Sequence, residues 1–337
     1  MPQKQAVALQ VAGVPIHSRA FLAPMSGVTD IVMRRIAARF GAGIVVSEMV
    51  ASDEFVRGSE EARIRAEGQG VTPHVVQLAG CDPHWLGEAA RLAQANGAAI
   101  VDINMGCPAK KVTGGWAGSA LMRDLDHAVR LVEAAVAAVT VPVTVKMRLG
   151  WDDASRNAPE LARRAVAAGA RLITVHGRTR QQFYKGRADW RAIAAVRAAG
   201  AFPLVANGDI ATKEDARLCL DQSGADYVMV GRAALGRPWL AGEIGAALDA
   251  LPFHEPSLAE KLDVAREHYE GLLSLMGVAS GVRHARKHLA AYADEALAKG
   301  CEADPERRRI LLTGEEPARV LAALAGLFST DRGLRAA

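Results

Sequence analysis

The chain has 337 residues, of which 50% are hydrophobic and 5% aromatic, and it carries a formal net charge of +4. This length accommodates two domains, or one large α/β barrel with an appendage. The mild positive charge permits a polyanionic partner without requiring one. No apolar run reaches the roughly 20 residues that a membrane span needs. The N-terminal segment MPQKQAVALQVAG also lacks the apolar core of a signal peptide.

Eight short runs of apolar or β-branched residues follow one another along the first three quarters of the chain. Each is too short for an isolated helix and is typical of a strand buried on both faces. Amphipathic stretches of helical length lie between most of them. This alternation predicts an α/β fold, a (β/α)8 TIM barrel. The predicted strands are 20–24, 43–48, 74–80, 99–104, 141–148, 172–178, 203–209 and 227–232, and the predicted helices include 83–96, 120–138, 157–168, 190–199 and 212–222.

Glycines mark the expected ends of several helices, where a left-handed C′ residue is common. They are Gly41, Gly97, Gly169, Gly200 and Gly224. After residue 250, the segment LPFHEPS is typical of a linker because it contains two prolines. Three stretches with helical periodicity and no strand pattern follow it. We therefore predict a barrel domain over 1–250 and a small all-α helical bundle over 251–337.

Polar residues lie at or just after the end of each predicted strand. The carboxyl ends of the strands of a TIM barrel meet on one face, and that face carries the active site. The sequence therefore predicts that these side chains converge. They are Ser26, Glu48, Gln77, Asn104, Lys146, His176, Arg178, Asn207, Asp209, Gly231 and Arg232.

The last two barrel units have the pattern of a phosphate site. Gly208 allows close approach of the backbone, and Gly231 and Arg232 stand where a helix is expected to begin. Neither G-x-G-x-x-G nor G-x-x-x-x-G-K-[ST] occurs, which disfavours a Rossmann or P-loop nucleotide site. Flavin mononucleotide (FMN) fits what remains. Lys146 and His176 would face the carbonyl edge of its ring.

Metal binding and disulfide formation are not expected. The four cysteines, Cys81, Cys107, Cys219 and Cys301, are scattered and contain no C-x-x-C pair. This favours a reducing cytoplasm as the compartment. His284 and His288 have the i, i+4 spacing of a helical metal site, but their neighbours are basic and the Glu of H-E-x-x-H is missing. Nothing in the sequence requires more than a monomer.

Several longer stretches make the chain resemble the tRNA-dihydrouridine synthases, in particular their bacterial B-type branch. The most specific stretch is DINMGCPAKKVTGGWAGSALM at 102–122, where lysines follow N-M-G-C-P. The other stretches are APMSGVTD (23–30), VVQLAG (75–80), PVTVKMRLGWD (142–152), ITVHGRTRQQFYKGRADW (173–190), PLVANGDI (203–210), ADYVMVGRAALGRPWL (225–240) and, more weakly, RHARKHLAAY (283–292).

The resemblance implies reduction of the C5=C6 bond of a tRNA uridine by FMN, with NADPH as the reductant of the flavin. Hydride would pass to C6, and Cys107 would donate the proton to C5 as a general acid. Most cysteine thiols are protonated at neutral pH, which suits that role. The FMN-binding residues implied by the matching motifs are Pro24, Met25, Ser26, Gln77, Lys146, His176, Asn207, Gly208, Asp209, Gly231 and Arg232. The family often has alanine at the position of Ser26.

A tRNA substrate requires that the target base leave its stack and that the phosphates meet basic side chains. Asn104 would hold the uracil edge, and Gly106 would let the backbone pass close to the base. The candidate tRNA-binding residues are Lys110, Lys111, Arg178, Arg180, Arg283, Arg286 and Lys287.

Two other functions are compatible with parts of the sequence. One is an FMN-dependent TIM-barrel oxidoreductase of a small molecule, of the dihydroorotate or enoate type. The helical tail and the lysines after Cys107 argue against it. The other is a non-catalytic tRNA-binding protein that kept the barrel.

Overall fold

The computed structural model describes residues 10–328, and this part of the chain divides into two compact units. One unit holds residues 10–232 and 239–253, and the other holds 233–238 and 254–328. The catalytic and tRNA-binding roles expected of two domains, with a boundary at residue 250, stay predictions.

The first unit is a closed barrel of eight parallel strands, as predicted. Each strand pairs with its neighbours along the chain, and β10 pairs with β3 to close the barrel. Closure leaves the barrel without an open edge. The strands are β3 (Ala20–Leu22), β4 (Val45–Ala51), β5 (His74–Ala79), β6 (Ile100–Met105), β7 (Val143–Arg148), β8 (Leu172–His176), β9 (Leu204–Asn207) and β10 (Tyr227–Val230).

Helices connect the strands, and four of the five helices predicted between strands are confirmed, whereas the fifth begins later than predicted. The helices of this unit are α1 (Ile31–Arg39), α2 (Ser52–Val56), α3 (Glu60–Ala66), α4 (Pro83–Ala95), α5 (Lys110–Thr113), α6 (Leu125–Ala138), α7 (Ala158–Ala167), α8 (Trp190–Ala198), α9 (Lys213–Ser223) and α10 (Leu240–Leu248). The predicted helix 120–138 is in fact a 3-10 turn, Gly118–Arg123, followed by α6. Asp124 separates them because its carboxylate caps α6 by accepting from the His127 amide.

Four of the five expected C′ glycines have a left-handed backbone: Gly41, Gly97, Gly169 and Gly224. The prediction for Gly200 is wrong, since Gly200 does not have a positive φ. There α8 ends instead on a further turn, in which the Gly200 amide donates to the Arg197 carbonyl.

A two-stranded antiparallel hairpin precedes the barrel, and the sequence pattern did not reveal it. Its strands are β1 (Gln10–Val11) and β2 (Val14–Pro15), too short for a periodicity signal. Ala12 and Gly13, both with positive φ, form its two-residue turn. Val11 belongs to the buried cluster inside the barrel, which also includes Phe21, Ile44, Ile16, Val46, Val75, Ile100, Leu172, Val205 and Met229.

The second unit is helical in its described part, as predicted for the tail. Its helices are α11 (Leu258–Met276), α12 (Val278–Ala298), α13 (Pro305–Thr313) and α14 (Pro317–Leu327). The sequence pattern did not predict α13. This helix buries only Leu311 and so shows no apolar stripe. None of the helices between residues 10 and 328 is both long and apolar enough to cross a membrane.

We predict that Gly242→Ala destabilises the barrel unit by at least about 2 kcal/mol, because it overpacks the contact between α10 and the end of α1. A Cβ on Gly242 would lie 1.8 Å from the Phe40 carbonyl oxygen. Urea denaturation measures the change. The control is Gly97→Ala, where a Cβ meets nothing within 4 Å and only the left-handed φ of +87° opposes the change.

We expect Gly97→Ala to lower the free energy of unfolding by about 1 kcal/mol. Alanine is the better helix former by about 1 kcal/mol. A Gly242→Ala variant stabilised by that amount would contradict the close contact.

Candidate active site

The parallel register brings the predicted polar residues together at the C-terminal ends of adjacent strands. Asn104 of β6 is level with Lys146 of β7, and His176 of β8 is level with Asn207 of β9. The convergence follows from barrel closure, because every strand presents its carboxyl end to the same face.

A chain of buried hydrogen bonds crosses three strands below this face. The Gln77 amide nitrogen donates to Asp102 at 2.7 Å, and the Asn104 amide nitrogen donates to Gln77 Oε1, also at 2.7 Å. Thr144 donates to the other Asp102 oxygen at 2.6 Å. Burial raises the pKa of Asp102, and the bonds from Gln77 and Thr144 oppose that rise. These hydrogen bonds fix the orientation of the Asn104 amide.

Asn104 in turn holds the main chain of residues 106–118, from the end of β6 to the start of the 3-10 turn. We call this segment the cysteine loop because it contains Cys107. Its Oδ1 accepts from the backbone amides of Gly106 at 3.1 Å and Cys107 at 2.9 Å. On the other side, the Ser119 amide and hydroxyl both donate to the Cys107 carbonyl, at 3.0 and 2.9 Å. Cys107 is therefore fixed through its backbone, and its half-buried thiol is not among the groups that anchor the loop.

Gly118 accounts for part of the glycine content of this loop. Its φ is +60°, and a Cβ there would lie 2.8 Å from the Cys107 carbonyl oxygen. Only glycine fits this close approach without strain.

Lys146 lies near the carboxyl end of β7. Its Nζ donates to Asn207 Oδ1 at 3.1 Å, and Asn207 is held by a bond from its Nδ2 to the Met229 carbonyl at 2.7 Å. Burial, reinforced by the nearby Arg148, lowers the pKa of Lys146 to about 8. The ammonium is thus close to its deprotonation point under ordinary conditions.

His176 is neutral at neutral pH. Burial, followed by the positive charges of Lys146, Arg148, Arg178 and Arg232, lowers its pKa well below the ordinary value of 6.5. Its Nε2 lies 3.2 Å from Arg178 Nη1. An arginine can only donate, so Nε2 accepts and the proton lies on Nδ1. Gly208, with φ +120°, packs so closely that a Cβ would lie 2.8 Å from the imidazole Cδ2.

Asp209 joins two arginines beside His176. It accepts from Arg178 through both oxygens and from Arg232 at 3.2 Å. Burial disfavours the Asp209 carboxylate, but the bonds from Arg178 and from the Ala188 amide outweigh it, and the pKa of Asp209 is lowered. Arg232 is exposed, whereas the Arg178 side chain is 1% exposed and also donates to the carbonyls of Lys185 and Gly186. This burial argues against Arg178 as a phosphate contact for RNA.

Arg148 is a site residue that the sequence reasoning missed. Its guanidinium donates to the carbonyls of Gly106 at 2.8 Å, Thr179 at 3.0 Å and Phe183 at 2.8 Å. It thereby ties the cysteine loop to the loop after β8. The signal was available, since Arg148 lies two residues after Lys146 and alternate strand residues share a face.

Glu48 supports the loop after β3. Its carboxylate accepts from the Gly27 amide, next to Ser26. Burial raises the pKa of Glu48, and the Gly27 bond and Arg65 oppose the rise. The main chain of Met25 is held separately, by a 2.9 Å bond from its amide to the Thr29 hydroxyl. The backbone of Pro24, Met25 and Ser26 is therefore fixed at the barrel mouth.

A cavity of about 550 Å³ opens beside the cysteine loop. Cys107, Ser26 and Lys111 line it, together with Trp85. The other predicted tRNA-binding residues are more dispersed. Lys110 lies exposed in α5, Arg180 is half-buried in the loop after β8, and Arg283, Arg286 and Lys287 lie on α12 of the second unit.

A closed (β/α)8 barrel with a lysine, a neutral histidine and a loop cysteine at the carboxyl ends of its strands has the organisation of a barrel enzyme. Comparison with known proteins specifies the family. The family model for dihydrouridine synthases (Dus) matches residues 21–328. The chain belongs to the dihydrouridine synthase family.

Three relatives illustrate the similarity. The chain is 57% identical to a probable tRNA-dihydrouridine synthase of Rhizobium leguminosarum bv. phaseoli, over 82% of this chain and 86% of that protein. It is 53% identical to one of Rhodobacter capsulatus, over 91% and 94%. It is 47% identical to tRNA-dihydrouridine synthase B of Xanthomonas axonopodis pv. citri, over 85% and 87%.

Among solved structures, a 2-naphthoyl-CoA reductase in complex with 2-naphthoyl-CoA shares the fold. The TM-score is 0.55 at 15% identity, over 72% of this chain and 52% of that one. At this identity the similarity concerns the fold alone.

We predict that Lys146 titrates near pH 8, losing its positive charge as the pH rises through that value. Competitive labelling with acetic anhydride, read by mass spectrometry as a function of pH, measures the deprotonated fraction of this amine. In Arg148→Gln the titration should move to higher pH, because a neighbouring positive charge that disfavours the ammonium is removed. Titration of wild-type Lys146 near the ordinary lysine value of 10.5 would contradict the burial of its charge.

Proposed function

We propose that this protein is a tRNA-dihydrouridine synthase that reduces the C5=C6 bond of a uridine in tRNA, with FMN as the cofactor and NADPH as its reductant. One observation carries the proposal: Cys107 lines a cavity at the mouth of the barrel, and hydrogen bonds to its main chain hold it there. The family membership and the names of the relatives support the substrate.

The residues at the mouth suit a flavin. Lys146 uses one of its N–H groups on Asn207, which leaves two for an electron-rich ring edge. The Nδ1–H of the neutral His176 is a further donor group. Gln77 gives one amide N–H to Asp102 and retains a second. Lys146, His176 and Gln77 are thus our candidates for the ring.

The phosphate of FMN would lie at the end of the last two strands. A Cβ on Gly231 would have no neighbour closer than 3.9 Å, so the backbone there is open to a ligand. Arg232 is exposed and supplies a positive charge. Asp209 is negative, but its pairing with Arg178 and Arg232 offsets the repulsion of an anion. Asn207, Gly208 and the backbone of Pro24, Met25 and Ser26 complete the proposed cofactor set.

Bound FMN, reduced by NADPH, would supply a hydride for C6 of the uracil. The chain must then supply a proton at C5, and we assign this to Cys107 Sγ–H. Its loop is held by Asn104 and Ser119 through the main chain, so the thiol is positioned without using its own hydrogen. A positioned general acid accelerates such a step by about 10²- to 10⁴-fold.

Recognition of the RNA would combine the base and the phosphates. Asn104 gives one amide N–H to Gln77, and its second is the group that we assign to the uracil edge. Lys110 and Lys111 are exposed in the cysteine loop and suit phosphate contacts. For the second unit we propose Arg283, Arg286 and Lys287 on α12, in a tRNA-binding role.

We predict that the purified protein, given NADPH and an unmodified tRNA transcript, forms dihydrouridine detectable by nucleoside mass spectrometry. Cys107→Ala should lower the rate by about 10²- to 10⁴-fold. Its flavin absorbance and its affinity for tRNA should stay at wild-type values, since the loop is held by backbone bonds.

Near-normal product from Cys107→Ala would overturn the acid assignment. NADPH oxidation that is as fast with free small acceptors as with tRNA would favour a small-molecule oxidoreductase. A colourless protein that binds tRNA without forming product would favour the non-catalytic alternative.

A further inference from the structure

Four side chains at the barrel mouth alternate between tryptophan and arginine. Arg123 Cζ lies 5.3 Å from the ring centroid of Trp116 and 4.9 Å from that of Trp151. Arg180 Cζ lies 4.7 Å from the Trp151 ring. All three distances are within the range of cation–π attraction. We call Trp116, Arg123, Trp151 and Arg180 the aromatic ladder.

The ladder combines three consecutive loops of the active face. Trp116 and Arg123 follow β6, Trp151 follows β7 and Arg180 follows β8. Backbone bonds join the loop after β7 to the loop after β8, from the Arg180 amide to the Gly150 carbonyl at 3.0 Å and from the Gln181 amide to the Trp151 carbonyl at 2.9 Å. Hydrogen bonds between loops therefore help to hold the ladder in place at the mouth.

Trp116 ends the ladder with an open ring. Its exposed fraction is 57%, and its φ of +58° is a conformation that L residues seldom adopt. Among residues 10–328, the large aromatic side chains that are exposed are Trp116, Phe183 and Tyr184. All three lie on loops of the barrel mouth, so exposure of aromatic surface is confined to one face.

The two arginines of the ladder are not neutralised. Within the described chain, neither Arg123 nor Arg180 forms an ion pair, whereas Arg156 on the same face pairs with Asp153 and Asp189. The Nε of Arg180 is buried without a hydrogen-bond partner in the described residues, and its guanidinium lies over the indole of Trp151. The ladder thus presents two positive charges, Arg123 between two indoles and Arg180 against one.

The ladder is connected directly to the cysteine loop. Trp116 is two residues before Gly118, which packs on the Cys107 carbonyl, and the 3-10 turn from Gly118 ends at Arg123. Gly115 and Ala117, the chain neighbours of Trp116, line the cavity at Cys107, so the ladder begins at the edge of that cavity.

We propose that the aromatic ladder binds an unpaired nucleotide of the RNA that flanks the reduced uridine, by stacking its base on Trp116. Unpaired bases stack readily on aromatic rings, and the positive charges attract the adjoining phosphates. Double-stranded RNA does not suit the site, because its base faces are covered. This inference rests on the proposed function and adds a base-stacking site to the phosphate contacts.

The test compares the affinities of wild type and Trp116→Leu for an unmodified tRNA transcript, by fluorescence anisotropy of an end-labelled RNA. We expect Trp116→Leu to bind about tenfold or more weakly, the loss typical of one base–aromatic stack, and Trp116→Tyr to retain most of the affinity. For a fully paired RNA duplex, wild type and Trp116→Leu should bind equally. Arg156→Ala is the matched control for charge at the mouth, and its tRNA affinity should equal that of wild type.

Equal binding of tRNA by wild type and Trp116→Leu would overturn the inference. So would an equal loss for tRNA and duplex, which would indicate a general effect on the surface. The comparison requires no turnover, so it remains informative if the wild-type protein forms no dihydrouridine, the result by which the proposed function itself would fail. At saturating tRNA, we expect Trp116→Leu to keep kcat within about twofold of wild type, since stacking here contributes uniform binding.

Discussion

Closure of the barrel by pairing β10 with β3 is the constraint on which the rest of the first unit depends. It places every strand end on one face and sets which strand ends are neighbours. Asn104 and Lys146 come from strands adjacent in the chain, whereas Lys146 reaches Asn207 across the mouth from a strand two places away. The chemistry of the mouth is thus assembled from residues far apart in sequence.

Positive charge dominates this face, and its effects divide by burial. Lys146 and His176 lie deep, where burial disfavours their charged forms. Arg178 is also buried, but it is held by Asp209 and by backbone carbonyls. Arg123 and Arg232 lie further out and keep their charge exposed. An anionic ligand would meet exposed charge at the rim and buried hydrogen-bond donors below it.

The sequence predicted the elements whose pattern is regular, and missed those that depend on tertiary contacts. Short apolar runs identified the eight barrel strands because such strands are buried on both faces. β4 continues to Ala51, beyond its predicted end at 48. Its pairing with β5 shifts register between Val46 and Met49, where the Gln77 amide donates to the Ser47 hydroxyl. Strand-end position indicated Lys146 and His176. It could not reveal the bonds from Arg148 to distant carbonyls, the burial of Arg178 or the stacking of Trp116, since each depends on how separate loops meet.

The main-chain anchoring of Cys107 has a consequence for how this site can change over evolution. Asn104 and Ser119 bind only the amide and carbonyl of position 107, groups that every non-proline residue possesses. The architecture of the loop is therefore independent of the chemistry of the side chain that it presents. A single substitution at position 107 can therefore exchange the reactive group while the backbone of the loop keeps its conformation.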